Sequence, residues 1–230
     1  MRIRSSKVVV FLLTFFILLS QVFTSSFALA DNKVPFTIFH TNDMHGRLGY
    51  EEYKGKPTSF GSAREKALID KEKKENPNRT VIALDAGDAF QGLPVSNQSK
   101  GQDMAKAMNE IGYKAMAAGN HEFDFGLDTV EKYKNNPQNG GWLNFPILST
   151  NVYKDGKRLF EPSTIINENG VKIGIVGVTT PETATKTNPT GIKGVTFKKP
   201  IPEVTNEITR IKDKVDFIAV LAHRSEERRV

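Results

Sequence analysis

The sequence predicts an α/β layered fold, and three observations carry the expectation. Apolar runs that read as strands alternate with helical patterns along the first half of the chain. The second half contains two apolar runs around Asn169-Gly170, a strong hairpin signal, so the sheet is expected to be mixed rather than purely parallel. No proline- or serine-rich linker divides the chain, so one domain with flanking helices is expected over residues 31–223.

Each element has its own signal. "FTIFH" (36–40) reads as a strand, followed by a polar loop and then by "GSAREKALIDKEKKEN", where the spacing of Ala63, Ala67 and Ile69 suits a helix with a charged outer face. "TVIALD" is a second strand, and "GQDMAKAMNEIG" a helix ending at Gly112. "KAMAAG" is a short third strand, and "DTVEKYKNN" a helix stopped before Pro137. After "FPILSTN", the stretch "STIINENGVKIGIVGVTT" is the hairpin. "IPEVTNEITRIKDKV" is a helix with Pro202 in its first turn, and "VDFIAVLAH" a buried strand.

The formal charge of +6 invites a nucleic-acid reading until it is located. Arg2, Arg4 and Lys7 supply +3, and the last seven residues supply +1, which leaves +2 for residues 31–223. That is an ordinary surface, and a nucleic-acid polymer is not expected as a partner. The absence of cysteine excludes thiol nucleophiles, thiolate zinc sites and disulfides.

Residues 1–30 have a cationic start, an apolar stretch from Val8 to Leu19 and the small-residue site Ala28-Leu29-Ala30. They read as a secretory signal peptide cut after Ala30, so the protein is expected to be secreted or associated with the cell envelope. The alternative is a membrane anchor, but a spanning helix needs about 20 apolar residues. Ser20 and Gln21 interrupt this one early, and no stable membrane span is expected.

The polar residues fall at strand ends. Asp43 and His45 follow the first strand, Asp85 and Asp88 the second, Asn120 and His121 the third, and His223 the last. The carboxyl ends of strands in an open α/β sheet form the edge where ligands bind, so four loops converge on one site. Singly, each has a plain structural explanation: Asp-x-His and Gly-Asp are ordinary turn chemistry, and His223 alone is a strand-end histidine. His40, within a strand, reads as a packed or surface histidine, and Asp85 as a supporting or loop carboxylate.

Carboxylate, imidazole and amide oxygen without sulfur suit divalent ions such as Mn, Zn, Fe, Co or Mg. Asp43 and His45, two residues apart, face the same side of an extended segment and can bind one ion. The two oxygens of Asp88 allow it to bridge two ions, and paired metals clamp the attacking and leaving oxygens of phosphoryl hydrolysis.

"TNDMHG", "DAGDAFQG", "GNHEFDFG" and "VLAH" together resemble the successive blocks of the calcineurin-like metallophosphoesterases, specifically the secreted bacterial 5′-nucleotidase and 2′,3′-cyclic-nucleotide phosphodiesterase group. The resemblance covers roughly residues 35–223. It implies that Asp43 and His45 bind the first metal, that Asp88 bridges, and that Asn120 and His223 bind the second. It further implies that His121, oriented by Asp124, stabilises the transition state or protonates the leaving ribose oxygen, and that a nucleotide or other small phosphate ester is the substrate.

Two parts of the family pattern are absent: a later Gly-His-x-His block that completes both metal sites, and a C-terminal domain that stacks on the nucleobase. The expected fold is therefore a C-terminally truncated one, with weak or no activity in the chain as it stands. "RSEERRV" (224–230) has no helix or strand pattern and coincides with one translated frame of a common short-read sequencing adapter, so it is expected to be a non-native tail on a longer protein. Two alternatives stay open: a non-catalytic metal- or ligand-binding surface protein, and a phosphoesterase for other substrates such as nucleotide-sugars.

Overall fold

The computed structural model describes residues 35–224; the expected leader and residues 225–230 of the expected tail lie outside the described residues. Along the chain, β1 (Phe36–Thr41) leads into a hairpin of β2 (Glu51–Tyr53) and β3 (Lys56–Ser59), then helix α1 (Ser62–Glu75) and β4 (Thr80–Asp85). The short α2 (Pro94–Asn97) and α3 (Gln102–Ile111) precede β5 (Tyr113–Ala117), and α4 (Leu127–Lys134) precedes β6 (Ile147–Leu148). The second half carries β7 (Val152–Lys154), β8 (Lys157–Arg158), β9 (Ser163–Glu168), β10 (Val171–Thr179) and α5 (Thr183–Lys186). β11 (Val195–Phe197), α6 (Pro200–Ile211) and β12 (Phe217–His223) complete the described chain.

The α/β class is as expected, but the strands do not share one mixed sheet. β1, β4, β5 and β6 form a parallel sheet in the order β1-β4-β5-β6. β12, β10 and β9 form a second sheet, in which β10 runs parallel to β12 and antiparallel to β9. Period-two alternation on β4 separates the two cores. Val81 and Ala83 join Ile69, Met104, Met108 and Val130 on the helix side. Ile82 and Leu84 face the second sheet, where they meet Ala115, Ala117, Leu148, Ile173, Ile175 and Leu221. Each of the Ile and Leu side chains in this inter-sheet layer contributes about 1.5–3 kcal/mol by leaving water.

The Asn169-Gly170 hairpin is present, with φ of 53° and 83°, the two left-handed positions that a tight two-residue turn requires. Three other expectations need correction. β12 is not a buried strand: among the described residues it pairs only with β10, and Val220 is 44% exposed. In α1, Ala63 and Ala67 lie on the exposed face and only Ile69 is buried, because Glu65 takes the inward position and meets the Tyr113 hydroxyl. The loop after β1 contains the β2–β3 hairpin, too short and too charged to show apolar alternation.

Candidate metal centre

The parallel pairing of β1 with β4 continues beyond the strand ends as loop-to-loop hydrogen bonds. The N–H groups of Asp43, His45 and Gly46 donate to the carbonyls of Gly87, Asp88 and Ala89 at 2.9, 3.0 and 2.8 Å. This ladder sets Asp43 and His45 beside Asp88. All three adopt left-handed backbone conformations, with φ of 53°, 48° and 59°. Such angles are uncommon for non-glycine residues, and Asp and His are among those that adopt them most readily.

The ligand atoms of Asp43, His45 and Asp88 lie within 4.8 Å of one another. His223 Nε2 is 3.2 Å from Asp88 Oδ2 and 3.1 Å from Asn120 Oδ1. Both histidines are oriented by the backbone. His45 Nδ1 donates to the Gln91 carbonyl at 2.9 Å, and His223 Nδ1 donates to the Ala86 carbonyl at 3.0 Å. Each ring therefore turns Nε2 toward the carboxylates, the arrangement typical of metal-binding histidine.

His121 and Asp124 form a separate pair on the same rim. His121 Nδ1 is 2.6 Å from Asp124 Oδ2, which leaves Nε2 available, and the His121 ring lies 5.3 Å from that of His45 between centroids. The His121 N–H also donates to Asp88 Oδ1 at 2.8 Å, so the pair is held to the middle carboxylate. All seven site residues expected from sequence thus gather at one edge. His40 is exposed on β1, and Asp85 is buried beneath the site, accepting from Thr41 Oγ1 and the Gly87 N–H at 2.7 Å each.

Burial alone would push the Asp88 carboxyl up, but the hydrogen bond and charge of His223 outweigh it and hold Asp88 below the usual carboxylate range. Burial likewise opposes a charge on His223, and Asp88, Glu122 and Asp43 overcome it, raising His223 to about 9. A proton at His223 Nε2 therefore balances the acidic cluster. A divalent cation bound to the same oxygens and nitrogens would take its place, so the donor set fits such ions.

Sequence reasoning missed Glu122. It is fully buried and accepts from the N–H groups of Asp88 at 2.8 Å, Ala89 at 2.9 Å and Gly119 at 2.6 Å. One carboxylate thereby joins the loops after β4 and β5. Burial, with the nearby Asp88 charge, pushes it up to about 7. Its signal was its place in "GNHE", beside two candidate site residues. Gly119 is required by the same close approach, since a Cβ there would stand 2.2 Å from Asp88 Oδ1.

The calcineurin-like phosphoesterase family matches residues 36–229. A 5′-nucleotidase of Vibrio cholerae is 40% identical over 200 residues, which cover 84% of this chain and 34% of that protein. Protein UshA of Escherichia coli is 34% identical over 232 residues, covering 97% of this chain and 40% of that protein. Among solved structures, a 5′-nucleotidase precursor from Thermus thermophilus superposes with a TM-score of 0.68 at 33% identity, over 81% of this chain and 36% of that one. The chain spans about a third of the length of several of the curated relatives it matches. With the family match running from β1 through all of the site loops, the chain belongs to the calcineurin-like phosphoesterases.

Proposed function

We propose that the protein is an exported phosphoesterase that hydrolyses nucleotide phosphate esters, as a 5′-nucleotidase, a 2′,3′-cyclic-nucleotide phosphodiesterase or both. Asp43 and His45 would hold one divalent ion and Asn120 and His223 a second, with Asp88 a ligand within reach of both sets. The observation that carries this reading is the shared position of Asp88, which groups with Asp43 and His45 and also lies 3.2 Å from His223. A carboxylate with two oxygens suits that role. The nucleotide class is supported by the relatives named 5′-nucleotidase, and export by the leader-like residues 1–30.

Mn, Zn, Fe, Co or Mg bound to these residues supplies Lewis-acid charge for the phosphate and a nucleophile at neutral pH. The chain's own residues do the rest. Asp124 keeps the His121 Nδ1 proton engaged, so Nε2 is the atom that meets the substrate. As the ester P–O bond breaks and water supplies the replacing oxygen, the departing ribose oxygen takes the proton held at His121 Nε2. From AMP the products are a nucleoside and inorganic phosphate; from a 2′,3′-cyclic nucleotide, where one of two ribose P–O bonds breaks, the product is a nucleoside monophosphate.

The test is phosphate release from AMP and ring opening of 2′,3′-cyclic nucleotides to monophosphates by the full-length gene product with added Mn, compared with Asp88→Ala and His121→Ala. Loss of about a hundredfold or more in both variants is expected. Unchanged rates in both would sink the proposed site.

A further inference from the structure

Asn120 and Asp124 each have a side chain with two ends, and within their own loop only Asp124 Oδ2 is engaged, by His121 Nδ1. An amide turned the wrong way would offer NH2 to a cation, and a carboxylate turned the wrong way would release the His121 ring. The Asn120 amide and the other Asp124 oxygen are fixed by one segment that the sequence patterns left without a role, Lys186-Thr187-Asn188, which begins at the last residue of α5.

The Lys186 carbonyl accepts from Asn120 Nδ2 at 3.1 Å. The NH2 end of the amide must face that acceptor, so Oδ1 is the end that faces His223. Thr187 Oγ1 donates to Asp124 Oδ1 at 2.6 Å, and the Asn188 N–H donates to the same oxygen at 3.0 Å. With Oδ1 held, Oδ2 is left for His121 Nδ1.

The segment is itself seated. The Thr183 hydroxyl donates to the Thr180 carbonyl at 2.7 Å, and Asn188 Oδ1 accepts from the Thr190 N–H and hydroxyl at 3.1 and 2.8 Å. Gly191 lies directly on the 120–124 loop, where a Cβ would stand 2.1 Å from the Phe123 carbonyl oxygen. The contact is too close for any other residue.

We infer that Thr187 and Asn188 are positioning residues for the reaction, acting through Asp124 to aim His121 at the leaving oxygen. The inference rests on the proposed role of His121 as proton donor. It predicts a dependence on the leaving group that a packing role does not produce. A ribose oxygen needs the proton, whereas p-nitrophenolate leaves without it.

In the full-length gene product with Mn, Thr187→Val is expected to lower kcat on AMP by about tenfold or more, with KM within about twofold, and kcat on p-nitrophenyl phosphate by less than about threefold. Thr187→Ser keeps the hydroxyl and should restore AMP turnover. Asn188→Pro removes the N–H donor at a φ of −61°, which proline adopts, together with the Oδ1 that meets Thr190; it should give the same split between the two esters even where Thr187→Val does not fold, and Asn188→Ala, which loses the side chain alone, should not. Equal losses on both esters, or no loss on AMP, would overturn the inference.

A wild-type protein inactive on both esters would instead count against the proposed function. The positioning inference is then decided by the His121 side chain in crystal structures of the two proteins. Wild type should keep His121 Nδ1 against Asp124 Oδ2, and Thr187→Val should lose that contact. An unchanged contact would contradict it.

Discussion

His223 Nε2 lies 3.2 Å from Asp88 Oδ2, although His223 ends β12 in the mixed sheet and Asp88 follows β4 in the parallel one. The candidate centre is therefore closed only when the two sheets pack on Ile82, Leu84, Ile173, Ile175 and Leu221. Stability of the fold and readiness of the site are the same event, which makes the site's titrating groups visible in unfolding.

The metal-free protein should lose stability as pH rises. His223 is raised from 6.5 to about 9 in the fold, so its contribution is complete below 6.5 and is lost as pH climbs through about 9. Glu122 is raised from 4.5 to about 7, so the fold favours its neutral form and its ionisation over that interval also costs stability. Asp88 runs the other way: its contribution is present above 3.8 and is lost only as pH falls through its lower folded value. Thermal unfolding with chelator should show Tm falling by roughly 5 °C between about pH 5 and about pH 9. Added Mn should remove most of that fall, because a cation replaces the proton at His223. A Tm that rises over this range in chelator would contradict the assignment.

Glu122→Gln keeps the size of the side chain but replaces one acceptor oxygen with a donor. One or more of the N–H groups of Asp88, Ala89 and Gly119 then lose their partner. Metal affinity by calorimetric titration of the full-length gene product should fall by about 10- to 100-fold, the usual effect of removing a group that holds ligands in place. Wild-type affinity in this variant would show that the two loops hold their geometry without Glu122.

Gly119→Ala should damage the site more than its size suggests. The added methyl meets Asp88 Oδ1 at 2.2 Å and Glu122 Oε2 at 2.8 Å, both within the buried polar cluster. Overpacking of this kind costs about 1–3 kcal/mol, and Asp88 is the group that must move. Denaturant unfolding checks the stability, and loss of metal binding checks the displacement.

The sequence made legible what rests on local pattern. β1, β4 and β5 are apolar runs with a polar turn after each, and the Asn169-Gly170 turn announces its hairpin. The candidate site was legible for the same reason, since Asp43, His45, Asp88 and Asn120 are polar residues that follow those runs and His223 ends the run of β12. Which strands share a sheet was not, because both sheets are built from equally apolar segments and pairing is decided between distant residues. Glu65 and Glu122 escaped notice because nothing in a polar stretch marks a carboxylate that turns inward to meet a hydroxyl or three backbone N–H groups. Thr187 and Asn188 escaped because their partner, Asp124, is remote in sequence.

Anomalous diffraction at the manganese edge, from crystals of the full-length gene product grown with Mn, tests whether Asp88 stands between two cation sites. Two peaks that share Asp88 are expected, one against Asp43 and His45 and the other against Asn120 and His223. Manganese bound elsewhere, or no peak at this cluster, would contradict that arrangement.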